Sequence, residues 1–281
     1  MGTIELFHGD CLEVMKTLPD RSVDLFLTDL PYGCLSNGAG KRTVDRYKKE
    51  GFQGGDKMIV GCPWDVKIDL VKFWEQIKRL RKNDSVATIM FCTERFGNEL
   101  FNSNPSEFRY ALIWSKGRGT SFLTVNKMPM RSHECIYIFA PKSPFYKLIK
   151  EQKPGAPARF RKAQPRYCRQ FDFVIGEIDE ETHAGQRCPI SVLDFKTSCD
   201  GLHPTAKRVD LYKWLVSRYC PDGGTVLDPT AGSFNSCLAA AQLGMTAIGI
   251  EKDDTFYKQA EVRFGLRSPD EETIAAPVNE H

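Results

Sequence analysis

Apolar positions along the chain gather into short runs with two different periods. Val23 to Thr28 and Ser85 to Phe91 are short and mostly apolar, the pattern of buried strands. Between them Leu70, Val71, Phe73, Trp74, Ile77 and Leu80 recur at helical spacing, so the stretch predicts a strand, helix, strand unit. Further strands are expected at Tyr110 to Trp114 and Cys135 to Phe139, before a stretch of different character that runs to about Leu193. The alternation then resumes with a helix around Leu211, Trp214 and Leu215 and a strand at Thr225-Val226-Leu227. A helix near Asn235 to Leu243 and a strand at Thr246 to Ile250 complete it. Both ends of the chain therefore supply one α/β core.

A length of 281 residues allows one large core with one appended region. The expected division is a single domain from 1–140 and 199–267, an insertion at 141–198 and a polar tail at 268–281. With 41% hydrophobic and 27% charged residues the chain reads as an ordinary globular protein. No apolar run is long enough to span a bilayer, and the first residues lack the pattern of a signal peptide, so an intracellular protein without a membrane partner is expected. Ten cysteines without a CxxC pair predict reduced thiols and no metal site.

Chemistry concentrates at two strand ends. Val226-Leu227-Asp228-Pro229-Thr230-Ala231-Gly232-Ser233-Phe234 predicts a strand, a turn of small residues and a helix start, where backbone N–H groups meet a ligand. Glu251 closes the next strand, where an acidic side chain can accept hydrogen bonds from ribose hydroxyls. A dinucleotide enzyme would want GxGxxG, and this turn has one glycine. A nucleoside cofactor such as S-adenosylmethionine fits better. Thr28-Asp29-Leu30-Pro31-Tyr32-Gly33 likewise follows an apolar strand. Asp29 can accept hydrogen bonds from an aromatic amine, and Tyr32 offers a stacking face for a base drawn out of a duplex.

Gly9-Asp10-Cys11-Leu12, Asp29-Leu30-Pro31-Tyr32, His203-Pro204-Thr205-Ala206-Lys207 and Asp228-Pro229-Thr230-Ala231-Gly232-Ser233 together resemble the motifs of amino-group DNA methyltransferases. The catalytic motif comes first and the cofactor motif last, as in the beta class of that family. Phage-like members resemble it most. The resemblance covers about residues 4 to 265 and implies a Rossmann-like fold: a mixed, mostly parallel sheet with helices on both faces, plus an inserted basic recognition region. It implies S-adenosylmethionine as cofactor. Asp29, Leu30, Pro31 and Tyr32 would meet the target base. Asp10 and Cys11 would lie near the adenine, and Asp29, Asp228, Pro229, Gly232 and Ser233 around the methionine part. Glu251 would take the ribose, and Thr205 with Lys207 the methionine carboxylate. The chain departs from the family twice. Leu30 replaces a proline but still supplies a carbonyl, and Phe234 replaces a glycine, so the loop must turn differently or lay a ring beside the cofactor.

Double-stranded DNA is the expected partner. From Pro141 to Gln170 nine Lys and Arg residues face Glu151 alone, a local net charge of +8 against +3 for the whole chain. Arg159, Arg161 and Lys162 lie within it. Lys41 and Arg42, in the Gly- and Lys-rich loop Cys34 to Pro63, and Lys116 and Arg118 are further candidates for DNA contact. His133-Glu134 does not complete HExxH, because position 137 is Tyr; the resemblance implies that it ends a loop and begins a strand beside the active site. An Asp in the catalytic tetrapeptide points to adenine N6. Cytosine N4, RNA or a small molecule as acceptor, and a catalytically impaired DNA-binding protein on the same fold, stay open. So do a homodimer and a cognate restriction endonuclease.

Overall fold

The computed structural model describes residues 2–33, 65–120, 125–152, 166–168, 173–175, 186–197 and 206–267. Two compact units divide the chain, one of 1–146 with 192–281 and one of 147–191.

The larger unit is an α/β fold around an eight-stranded sheet. Its strands are β1 (Ile4–His8), β2 (Leu25–Thr28), β3 (Ala87–Cys92), β4 (Phe108–Thr120), β5 (Arg131–Phe139), β10 (Val192–Asp194), β11 (Thr225–Asp228) and β12 (Thr246–Glu251). Their order is β1-β12-β11-β2-β3-β5-β4-β10. Pairing is parallel throughout, except that β5 runs antiparallel to both β3 and β4. Every residue of β2 and β3 is buried, as strands covered on both faces require.

Strand side chains alternate between faces, and the core divides accordingly. Leu25, Leu27, Ile89 and Phe91 pack with Leu211, Leu215 and Val216 of α4 (Val209–Tyr219) and with Cys237 and Ala240 of α5 (Asn235–Gln242). Phe26, Met90 and Cys92 turn to the other face. There they meet Met15 of α1 (Cys11–Thr17), Phe73 and Ile77 of α2 (Leu70–Leu80) and Leu100 of α3 (Glu94–Ser103). A sixth helix, α6 (Asp254–Arg263), follows β12. The α2 boundaries are those the apolar spacing predicts. Its start is fixed by Asp69, whose carboxylate accepts from the N–H groups of Val71 (3.0 Å) and Lys72 (3.2 Å), a standard N-cap.

The smaller unit holds two antiparallel pairs, β6 (Glu151–Gln152) with β9 (Gln186–Arg187) and β7 (Arg166–Cys168) with β8 (Phe173–Ile175). The expected insertion at 141–198 is wider than this unit at both ends. On one side Phe145 N–H donates to Ser85 O at 2.8 Å and the Tyr146 ring lies 5.4 Å from that of Tyr219. On the other, β10 pairs with β4, and Trp114 Nε1 donates to Phe195 O at 2.7 Å. Edge hydrogen bonds bind both flanks into the main sheet.

Candidate active site

Four neighbouring strands, β1, β12, β11 and β2, end at one edge of the sheet, and most of the motif residues sit at those ends or on the turns that follow them. This carboxyl edge is where open α/β sheets place their ligands. A cavity of about 510 Å³ opens there, a size suited to a small molecule. Asp10, Cys11, Asp29, Leu30, Pro31, Tyr32, Lys207, Pro229, Gly232, Ser233 and Glu251 all line it, so residues separated by more than two hundred positions meet in one space.

The turns are tied to one another. The hydroxyls of Thr28 and Thr230 share a 2.8 Å hydrogen bond, and Thr230 Oγ1 also donates to Asp29 O at 3.2 Å. Gly232 N–H donates to Glu251 Oε2 at 2.8 Å, and Asp253 N–H to its Oε1 at 2.7 Å. Burial raises the Glu251 carboxyl, with these backbone donors opposing the rise. Asp10 caps α1 by accepting from Leu12 N–H at 3.0 Å and pairs with Lys252 at 3.1 Å. Burial works to raise its carboxyl, but Lys252 and the Leu12 N–H outweigh that and hold it below the usual range. Beside it, burial first and the Asp10 charge second push the Cys11 thiol up to about 12, so it stays an uncharged wall.

Asp29 lines the cavity with both carboxylate oxygens engaged. Oδ1 accepts from the Tyr32 hydroxyl at 2.5 Å, and Oδ2 from the Lys207 ammonium. Ionised carboxylates carry about four lone-pair positions, so Asp29 retains acceptor capacity for a ligand. The Tyr32 ring leans on Phe96 at 5.0 Å between centroids. Burial, and then the Asp29 and Glu134 charges, raise the Tyr32 phenol well above its usual value, so it stays a proton donor. Leu30 is buried with Phe26 and Phe96, so the leucine in place of proline serves the core.

Several expectations are corrected. Lys207 does not stand free for a carboxylate ligand: it is buried and pairs with Asp29 and, at 3.5 Å, with Glu134. Lys116, expected to reach DNA, turns inward instead. Its side chain is 12% exposed and bonded to Glu134, because it lies on the inward parity of β4 with Trp114. Arg118 lies on an exposed part of β4. His133 and Glu134 lie near the start of β5, which opens earlier than expected, at Arg131, with His133 in register with Ser115. Asp228 is 2% exposed and off the cavity wall; it accepts from Thr230 N–H at 3.1 Å and from the Ser236 hydroxyl, which shapes the turn. Phe234 has a left-handed φ of 57° and a fully buried ring against Gly249 and Phe264. The turn thus keeps its glycine-like backbone while the ring enters the core, away from any cofactor. Lys41, Arg42, Arg159, Arg161, Lys162, Thr205 and the loop Cys34 to Pro63 lie outside the described residues. For Glu134, which the sequence already sets beside the site, what local reading missed is its pairing with Lys116 and Lys207.

Asp228 has a measurable consequence. Burial first, then the Asp29 and Glu251 charges, raise its carboxyl to about 7 against the Ser236 and Thr230 hydrogen bonds. A raised acid pKa means the folded state binds the extra proton between the unfolded value of 3.8 and 7, so its contribution to stability is lost as pH rises through that window. Asp228→Asn cannot ionise. Relative to the parent, it should gain roughly 2–3 kcal/mol between pH 5 and 8. Urea unfolding at the two values checks this, and a constant difference would contradict it.

The comparisons agree with this geometry. The chain belongs to the DNA methylase family of N6 and N4 enzymes, whose model matches residues 23–262. Its members are amino-group DNA methyltransferases that use S-adenosylmethionine as the methyl donor. The DNA adenine methyltransferase YhdJ of Escherichia coli (strain K12) is 25% identical over 94% of this chain and 83% of its own. Among solved structures, M1.HpyAVI in complex with SAM has a TM-score of 0.55 at 16% identity, covering 93% of this chain and 99% of its own. The cytosine-N4-specific PvuII DNA methyltransferase has a TM-score of 0.59 at 14% identity, covering 94% of this chain and 87% of its own. At those identities the two structures speak for the fold. No described helix is long and apolar enough to cross a membrane, and no described cluster of His, Cys, Asp and Glu could hold a metal.

Proposed function

We propose that the protein methylates N6 of adenine in double-stranded DNA, with Asp29 as the group that acts on the target amine. The observation that carries this reading is the Asp29 carboxylate lining the cavity, held between Tyr32 and Lys207. An extruded base would stack on Tyr32 and present its amine to Asp29 and to the Leu30 carbonyl, with Pro31 stiffening the backbone between. The amine would use the acceptor positions that Tyr32 and Lys207 leave open on Asp29. As the nitrogen forms its new bond it gains positive charge, so the carboxylate stabilises the transition state more than the ground state.

S-adenosylmethionine supplies the electrophilic methyl group when bound. The donor set on the cavity wall suits it: carboxylates at Asp10 and Glu251 for nucleoside donors, and a tight turn at Pro229, Gly232 and Ser233 with little side-chain bulk. Thr205 is proposed for the methionine carboxylate. Lys207 is assigned instead to Asp29, which its pairing supports. The basic stretch with Arg159, Arg161 and Lys162, together with Lys41, Arg42 and Arg118, is proposed to contact DNA phosphates. The test is nucleoside digestion of DNA after incubation with methyl-labelled S-adenosylmethionine. N6-methyladenine is expected; label only in N4-methylcytosine would move the reading to cytosine, and unlabelled DNA where RNA incubated in parallel takes the label would overturn it.

A further inference from the structure

We propose that Glu134 is a positioning residue for methyl transfer: from β5 it holds the Lys207 ammonium against Asp29. The inference rests on the role given to Asp29 above. Lys207 is almost closed off from bulk solvent, with its side chain 4% exposed. Its nitrogen lies 4.7 Å from the Phe91 ring and 5.9 Å from the Trp114 ring, so aromatic faces close two sides of it. Asp29 and Glu134 supply the anions. Burial works to lower the Lys207 amine, yet the two carboxylates outweigh it and raise it above the ordinary lysine range.

Glu134 is held in turn. Its Oε1 accepts from Lys116, while Oε2, 3.5 Å from Lys207, has no hydrogen-bond donor among the described residues and faces the ammonium as a charge. Burial opposes its charge too, but Lys207 and Lys116 keep its carboxyl below the usual range. The cluster is neutral, with two ammoniums and two carboxylates. The other titratable groups around it are Tyr32, Cys92 on β3, Tyr212 on α4 and Asp228 on β11, all with their proton affinity raised. Removing the Glu134 charge takes from Lys116 and Lys207 the carboxylate they share. Lys207 then keeps one carboxylate, Asp29, for a charge that burial opposes, and the ammonium that pairs with Asp29 is held from one side only.

The experiment uses the full chain with ¹³C-labelled lysines, Lys207 being assigned by comparison with Lys207→Arg. Parental Lys207 should stay charged beyond pH 10.5, its ordinary value. In Glu134→Gln it should titrate at least about one pH unit below the parent, a tenfold loss of proton affinity. Single-turnover methylation of unmodified duplex DNA should fall about ten- to a hundredfold, the scale of a misplaced reacting group. Glu134→Asp keeps the charge but withdraws it by one methylene, so Lys207 should stay charged while the rate falls; this variant serves if Glu134→Gln does not fold. An unchanged Lys207 titration in Glu134→Gln, or a parental rate in Glu134→Asp, overturns the proposal. Absence of methyl transfer by the parent would overturn the role of Asp29, whereas the titration separately decides whether Glu134 holds Lys207.

Discussion

Asp29→Ala is expected to lower single-turnover methylation by at least about a hundredfold, the loss that follows removal of one preorganised transition-state stabiliser. The side chain reaches the cavity from the end of β2, and its backbone carbonyl is fixed by Thr230, so truncation removes the carboxylate without releasing the turn. Lys207 would then keep one carboxylate, Glu134 at 3.5 Å, so some stability should be lost, but because the turn stays tied the fold and cofactor affinity should persist while the rate collapses. Rapid-quench measurement of labelled DNA, with calorimetry of S-adenosylmethionine binding alongside, reads both. A near-parental rate would remove Asp29 from the mechanism.

Phe234→Ala should be the most damaging core substitution at the site, costing about 3–5 kcal/mol, the range for deleting a buried phenylalanine ring. The ring is fully buried between Gly249 and Phe264, and a Cβ at Gly249 would come within 2.6 Å of it, so little can close over the void. Alanine also keeps the burden of a left-handed φ of 57°. Phe234→Gly loses the same ring but relieves that strain, and should retain roughly 1 kcal/mol more stability than Phe234→Ala. Chemical denaturation of the two variants gives the comparison. If both variants match the parent, the ring's place in the core is misassigned.

The sequence was most legible where local signals coincide. Helix α2 has a capping Asp69 and apolar residues on one stripe, and β2, β3 and β11 are short apolar runs closed by polar turns. Elements with mixed signals escaped. Helix α3 carries Gly97 in its middle, a poor helix former that is needed because a Cβ there would stand 2.8 Å from the Tyr137 hydroxyl. Helix α6 buries only Ala260, and β1 is only partly buried, so neither shows a strong apolar stripe.

The site follows the same logic. Motif residues on turns could be read singly, but the pairing of Lys207 with Asp29 spans 178 positions and that with Glu134 joins residues on opposite sides of the smaller unit in sequence. One signal was present: Lys116 keeps the inward parity of Leu112 and Trp114, and Glu134 that of Ile136 and Ile138. Charges on the buried parity of two paired strands should be read as partners of a site before they are read as surface.

The central claim is that this cavity transfers a methyl group to an exocyclic base nitrogen through Asp29. Parent and Asp29→Ala, each given methyl-labelled S-adenosylmethionine and unmodified duplex DNA, should be compared by the mass and identity of the labelled nucleoside. The account predicts N6-methyladenine from the parent and at least about a hundredfold less from the variant. Label on a ring carbon such as C5 of cytosine, or equal label from both proteins, would contradict it.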